Sequence, residues 1–124
     1  MRWHLRSLRK PTGGILKEYR GKKKFQQGGN PILTKLGEEK MRAEPVMAGN
    51  IKRRLFTGKK VVVSLGGGKS QITQIDNVVE TPDNPNYVRR RIITKGTLVK
   101  TKLGNARITS RPGQQGTLQA VIVK

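Results

Sequence analysis

Apolar and polar residues alternate with period 2 over most of the second half of the chain. In Lys59–Leu65, Val61, Val63 and Leu65 fall on one face and Val62 and Ser64 on the other. Thr97–Leu103 sets Thr97, Val99, Thr101 and Leu103 against Leu98, Lys100 and Lys102. Asn105–Ser110 sets Ala106 and Ile108 against Arg107 and Thr109, and Thr117–Val123 sets Leu118, Ala120 and Ile122 against Gln119. Period 2 with β-branched residues predicts strands. Ile51–Phe56 is a weaker instance, with Ile51, Arg53 and Leu55 on one side. In Gln71–Glu80 the residues Ile72, Ile75, Val78 and Val79 stand close to helical spacing. Their β-branched character and the Asp76-Asn77 break favour a bulged strand.

Turn residues separate these runs: Gly66-Gly67-Gly68, Lys95-Gly96, Gly104-Asn105 and Pro112-Gly113, with Thr81–Asn86 as one longer loop. Short strands at this spacing predict an all-β fold, a small closed β-barrel in preference to an open sandwich, because closure removes exposed sheet edges. The first 30 residues read differently. They hold only five Leu, Ile, Val or Phe residues (Leu5, Leu8, Ile15, Leu16, Phe25), against 19 in residues 61–124. A segment that poor in apolar residues is expected to order on a partner. The expected organisation is therefore a long basic N-terminal extension over 1–30, lacking its own core, and a β-barrel domain over 31–124.

Charge decides what such a chain binds. Lys plus Arg number 27 against 7 Asp plus Glu, a formal net charge of +20 in 124 residues. A balance that basic attracts polyanions. There is no Cys and one His, His4, so thiol nucleophiles, Cys-zinc sites and multi-His metal sites are not expected. No unbroken apolar run is longer than four residues, so neither a bilayer span nor a signal peptide is expected.

Motifs for catalysis are weak. Gly68-Lys69-Ser70 matches the end of a phosphate-binding G-x-x-x-x-G-K-[ST] loop, but Val63 stands where its first glycine belongs and strand-forming residues follow. A glycine hairpin turn is the better reading. Glu38-Glu39, Asp76, Glu80 and Asp83 mark no pocket for acid–base work. A membrane-surface helix built on Trp3, Leu5 and Leu8 is cut short by Pro11 and Gly13-Gly14.

The basic clusters carry the positive signal. Arg2, Arg6, Arg9, Lys10, Arg20, Lys22, Lys23 and Lys24 are interleaved with Trp3, Tyr19 and Phe25. Cations neutralise phosphates and aromatic rings stack on unpaired bases. Thr12, Gly13 and Gly14 allow a close backbone approach to a ligand. Lys52, Arg53 and Arg54 form a second cluster and Arg89, Arg90 and Arg91 a third. On a strand Arg90 would oppose its two neighbours. Scattered aromatics and a basic arm suit folded RNA better than duplex DNA. A free-standing RNA/DNA packaging or chaperone protein is the alternative.

Several stretches, taken in order, resemble one family. They are Arg9-Lys10-Pro11-Thr12-Gly13-Gly14, Lys22-Lys23-Lys24-Phe25, Gly37-Glu38-Glu39-Lys40, Gly49-Asn50, Asn86-Tyr87-Val88-Arg89-Arg90 through Ile93-Thr94-Lys95-Gly96, and Ser110-Arg111-Pro112-Gly113-Gln114. Together they are similar to the archaeal and eukaryotic small-subunit ribosomal protein family eS-eight, in its compact archaeal form. The resemblance covers the chain from Trp3 onward. It departs where Met47-Ala48-Gly49-Asn50 replaces the common Arg-Gly-Gly-Asn, and where Phe25-Gln26-Gln27-Gly28-Gly29 replaces Tyr-Glu-Leu-Gly-Arg. It implies a structural, non-enzymatic component of the cytoplasmic small ribosomal subunit, in contact with small-subunit rRNA and neighbouring ribosomal proteins. It implies no cofactor, metal, membrane or small-molecule substrate. The expected RNA-binding set adds Asn50, Lys95, Ser110, Arg111 and Gln114 to the residues above, with Pro112 and Gly113 fixing the turn that presents Arg111.

Overall fold

A computed structural model describes residues 2–123. Its contacts divide the chain into two compact units, Met1–Pro31 and Ile32–Lys124.

In the first unit, β1 (Arg2–Trp3) pairs antiparallel with β2 (Gln27–Gly28), in the register Arg2↔Gly28 and Trp3↔Gln27. The His4 amide extends the pairing by donating to the Gln26 carbonyl at 2.8 Å. A second local structure is a tight hairpin about Lys10–Gly13, where Arg9 bridges Ile15. The Gly13 amide donates to the Lys10 carbonyl at 2.9 Å and the Lys10 amide to the Gly14 carbonyl at 2.8 Å. Pro11 suits the first corner of such a turn, and Gly13, at φ +84°, takes the left-handed position that closes it. The apolar side chains of this unit are largely exposed: Leu8 at 59%, Ile15 at 75% and Phe25 at 78%.

The second unit contains β3 (Thr34–Leu36), β4 (Lys40–Pro45), β5 (Ile51–Gly58), β6 (Lys60–Gly66), β7 (Lys69–Glu80), the one-turn helix α1 (Asn86–Arg89), β8 (Ile92–Ile93), β9 (Leu98–Thr101), β10 (Gly104–Ile108), the one-turn helix α2 (Pro112–Gln115) and β11 (Gln119–Ile122). Five strands close a barrel in the order β10-β11-β6-β7-β9, with β9 pairing back onto β10. All neighbours are antiparallel except β11 and β6, which run parallel with Ala120 opposite Val63. The predicted closed barrel is present. The interior is built by the alternation: Val61 and Val63, Val99, Ala106 and Ile108, and Leu118 and Ala120 are buried. Val62, Lys100, Arg107 and Val121 point outward between them.

Gln71–Glu80 lies within one long strand, and its near-helical spacing has a structural cause. The register shifts between Ile75 and Asn77 where β7 pairs with β9. The extra residue re-aims the pleat, so Ile75 and Val78, three apart, both enter the core. Gly66, Gly67 and Gly68, all at positive φ, turn β6 into β7. A strand follows that turn, as a hairpin requires and a phosphate-binding loop does not.

A second sheet has the order β4-β5-β3-β8. Here β3 pairs parallel with β5 and antiparallel with β8, and β4 forms a hairpin ribbon with β5. The buried Thr34 hydroxyl donates to the Leu55 carbonyl at 2.7 Å, and Ile92 and Ile93 are both buried. The α2 turn packs on β5. A Cβ on Gly113 would stand 2.8 Å from the Ile32 carbonyl oxygen, and one on Gly116 would stand 3.0 Å from the Arg53 Cβ. Those glycines are where backbone meets backbone.

Candidate nucleic-acid interface

Arg89, Arg90 and Arg91 are not on a strand, contrary to expectation. The Asn84 side-chain oxygen accepts from the Asn86 amide at 2.9 Å, and Pro85 sits at φ −57°, so Asn84-Pro85-Asn86 starts a helical turn instead. α1 ends at Arg89, Arg90 caps it, and Arg91 takes a left-handed φ of 50° before the chain enters β8. The Arg91 carbonyl is held by the Leu36 amide at 2.9 Å. All three arginines are thereby exposed on one knuckle instead of alternating across a sheet. Asn86, Arg89 and Arg90 line a shallow open hollow, and none of the three arginines has a carboxylate partner among the described residues.

The second cluster divides. Arg53 is exposed on β5 and lies against Gly116, which brings it beside the end of the α2 turn. Arg54 is committed elsewhere. Its Nε lies 3.1 Å from Glu44 Oε2, near enough for an ion pair though not aligned as a hydrogen bond, with the side chain 22% exposed. Arg42 approaches the other Glu44 oxygen at 3.4 Å. Arg54 therefore belongs to the β4–β5 ribbon, and Lys52 is half-buried.

The Ser110–Gln114 stretch also separates into two roles. Ser110 is 4% exposed; its hydroxyl donates to the Thr117 carbonyl and accepts from the Gln119 amide, both at 3.0 Å. It is a structural clamp between α2 and β11, not part of an RNA-facing surface. Arg111 and Gln114 are exposed. The Arg111 amide donates to the Gln115 side chain at 2.8 Å, and Pro112 at the first helical position fixes the turn. Lys95 stands at the corner of another tight turn. There the Thr97 amide donates to the Thr94 carbonyl at 3.3 Å and Gly96 takes φ +89°. Asn50 is used internally at the end of the β4–β5 ribbon: its amide group donates to the Met47 carbonyl at 3.2 Å and its own carbonyl accepts from Val46 at 2.8 Å.

Within the first unit, Arg2, Arg6, Arg9, Lys10, Thr12, Arg20, Lys22, Lys23 and Lys24 are exposed. Three of them have intramolecular tasks. Arg9 donates from Nη1 to the Gly13 carbonyl at 2.8 Å and braces the hairpin. The Arg20 guanidinium lies 5.2 Å from the centre of the Tyr19 ring and 5.7 Å from that of Phe25, and Lys22 lies 5.9 Å from that of Trp3. The rings are thus covered by cations in the protein itself. Gly13 needs its left-handed φ, whereas Gly14 needs none, and a Cβ there would meet only Thr12 Oγ1 at 3.9 Å.

Sequence reasoning passed over one basic face. Lys100 on β9 and Arg107 on β10 are outward neighbours on the barrel, in the register Asn105↔Lys100 and Arg107↔Leu98. The alternation of Lys100 and Lys102 with buried Thr101 carried that signal.

The chain matches the family model described as Ribosomal protein S8e over residues 3–123. It is similar to the small ribosomal subunit protein eS8 of Methanococcoides burtonii, with 42% identity covering 100% of both chains. Similarity to the small ribosomal subunit protein eS8 of Methanoregula boonei is 40%, covering 99% of each chain, and to that of Methanobrevibacter smithii 42%, covering 95% of each. On a match that runs almost from end to end, this chain belongs to the ribosomal protein S8e family.

Proposed function

We propose that this protein is a structural constituent of the small ribosomal subunit that binds small-subunit rRNA, cements its helices during assembly and performs no chemistry of its own. The observation that carries the RNA reading is the α1 knuckle: three consecutive arginines, all exposed, with no carboxylate partner among the described residues. Guanidinium forks bind phosphate oxygens in pairs, so three on one turn make a phosphate clamp. The barrel meets RNA through Arg53, Arg89, Arg90, Arg91, Lys95, Arg111 and Gln114, joined by Lys100 and Arg107. Residues 1–30 act as a basic arm without a core of their own, ordered by RNA. In the arm Arg2, Arg6, Lys10, Lys23 and Lys24 neutralise phosphates, and Gly14 leaves room for RNA at the hairpin. Neighbouring ribosomal proteins complete its surroundings.

The test is binding to small-subunit rRNA against length-matched generic RNA at rising salt. Non-specific attraction weakens steeply with salt. The proposal expects a preference for rRNA that persists once that attraction is screened. Equal affinity for both RNAs throughout would support the packaging alternative.

A further inference from the structure

The outer face of the barrel over β11, β6 and β7 differs from the rest of the surface. Two rows of outward residues cross it: Gln119, Val62 and Ile72, then Val121, Ser64 and Ser70. None is charged, in a chain with 27 Lys and Arg. Val62 is 39% exposed, Val121 46% and Ile72 71%, so the face is both apolar and open. Beside it lies a groove of about 190 Å³ whose wall includes Met41, Leu55, Val62, Ile72 and Leu118. Lys59 and Lys60 stand on its rim with Glu39.

We propose that this groove docks a segment of a neighbouring small-subunit protein that carries a large apolar side chain flanked by carboxylates. The proposal rests on the ribosomal reading above. Three observations select a protein occupant. The two rows beside the groove carry no charge to hold a phosphate backbone, and depletion of charge is the mark of an interface core. The groove has no aromatic wall, whereas unpaired bases are held by stacking on aromatic or guanidinium planes. Two rim lysines against one glutamate complement an acidic flank, while Met41 supplies an adaptable apolar wall.

The absence of native Cys makes the test clean. A single Ile72→Cys substitution at a 71% exposed position accepts a maleimide-benzophenone probe without disturbing the core. The labelled full-length protein is assembled into small subunits with rRNA and the other subunit proteins, irradiated, and the cross-linked species is sequenced. The expected product is a cross-link to another ribosomal protein, at a peptide with Asp or Glu within two residues of a large apolar residue. A cross-link to rRNA or to a second copy of this chain, or no cross-link at all, overturns the proposal. In parallel, Ile72→Asp is measured twice. Incorporation into subunits is expected to fall about tenfold or more, the scale of one apolar side chain removed from an interface. Affinity for protein-free rRNA is expected to stay within twofold of wild type. Unchanged incorporation sinks the docking proposal. Loss of wild-type preference for rRNA sinks the ribosomal reading instead, so the two failures are distinct.

Discussion

Removing the charges of the α1 knuckle perturbs RNA binding while leaving the fold in place. The variant carries Arg89→Gln, Arg90→Gln and Arg91→Asn. All three side chains are exposed, so substitution is expected to move stability by no more than about 0.5 kcal/mol. Asn is chosen at position 91 because φ is 50° there and Asn tolerates the left-handed region better than most residues. Each phosphate neutralised contributes about 0.7 to 0.9 to the slope of log affinity against log salt. Three contacts therefore make the variant's slope shallower by about 2 to 3. Over a fourfold rise in salt, the variant then loses roughly 20- to 40-fold less affinity than wild type. Filter binding to small-subunit rRNA across a potassium chloride series reads the slope directly. Arg54→Gln is the internal comparison. It removes one positive charge that Glu44 already balances, so it is expected to leave the slope nearly unchanged and to lower the unfolding midpoint modestly. If the triple variant keeps the wild-type slope, or Arg54→Gln flattens it as much, the assignment of the knuckle to phosphate is wrong.

Three further outcomes are expected. Ser110→Ala strands the Thr117 carbonyl and the Gln119 amide and is expected to cost about 1 to 3 kcal/mol in urea denaturation, with the salt slope of RNA binding unaltered. Gly14→Ala is expected to leave the thermal midpoint unchanged, because its Cβ would meet only Thr12 Oγ1 at an ordinary contact distance of 3.9 Å, while weakening rRNA binding by a steric block at the hairpin; equal affinity would place RNA elsewhere. Ile75→Ala empties a site with no solvent exposure at the β7 bulge and is expected to cost about 2 to 5 kcal/mol by chemical denaturation.

How much of this was legible in the sequence depends on which force set each element. The barrel strands were readable because burial on one face writes itself as alternation, and Val61, Val63, Val99, Ala106 and Ile108 obey it. The β4 strand was not readable. Five of its six residues are exposed on a ribbon open on both faces, so no apolar period marks it. The three arginines were misplaced for a local reason: Asn84-Pro85-Asn86 sets a helical turn through one side-chain hydrogen bond, which overrides the strand pattern of the residues that follow. Ser110 and Arg54 looked like polar candidates because residue type does not report burial or partners. Only packing shows that one clamps two backbone groups and the other faces Glu44. The cations over Tyr19, Phe25 and Trp3 were equally hidden, since such pairs depend on how the first unit turns.

The parallel seam between β11 and β6 has a consequence for the order of events during synthesis. Val63 leaves the peptidyl-transfer centre long before Ala120, its eventual partner. While β7 through β10 are being made, β6 carries a β7 hairpin on one side and a bare row of amides and carbonyls on the other. Such an edge recruits other strands. The molecule is therefore at its most vulnerable in the interval before Gln119–Ile122 emerges, and seam closure is the last, long-range step that makes the barrel competent to leave the nascent state.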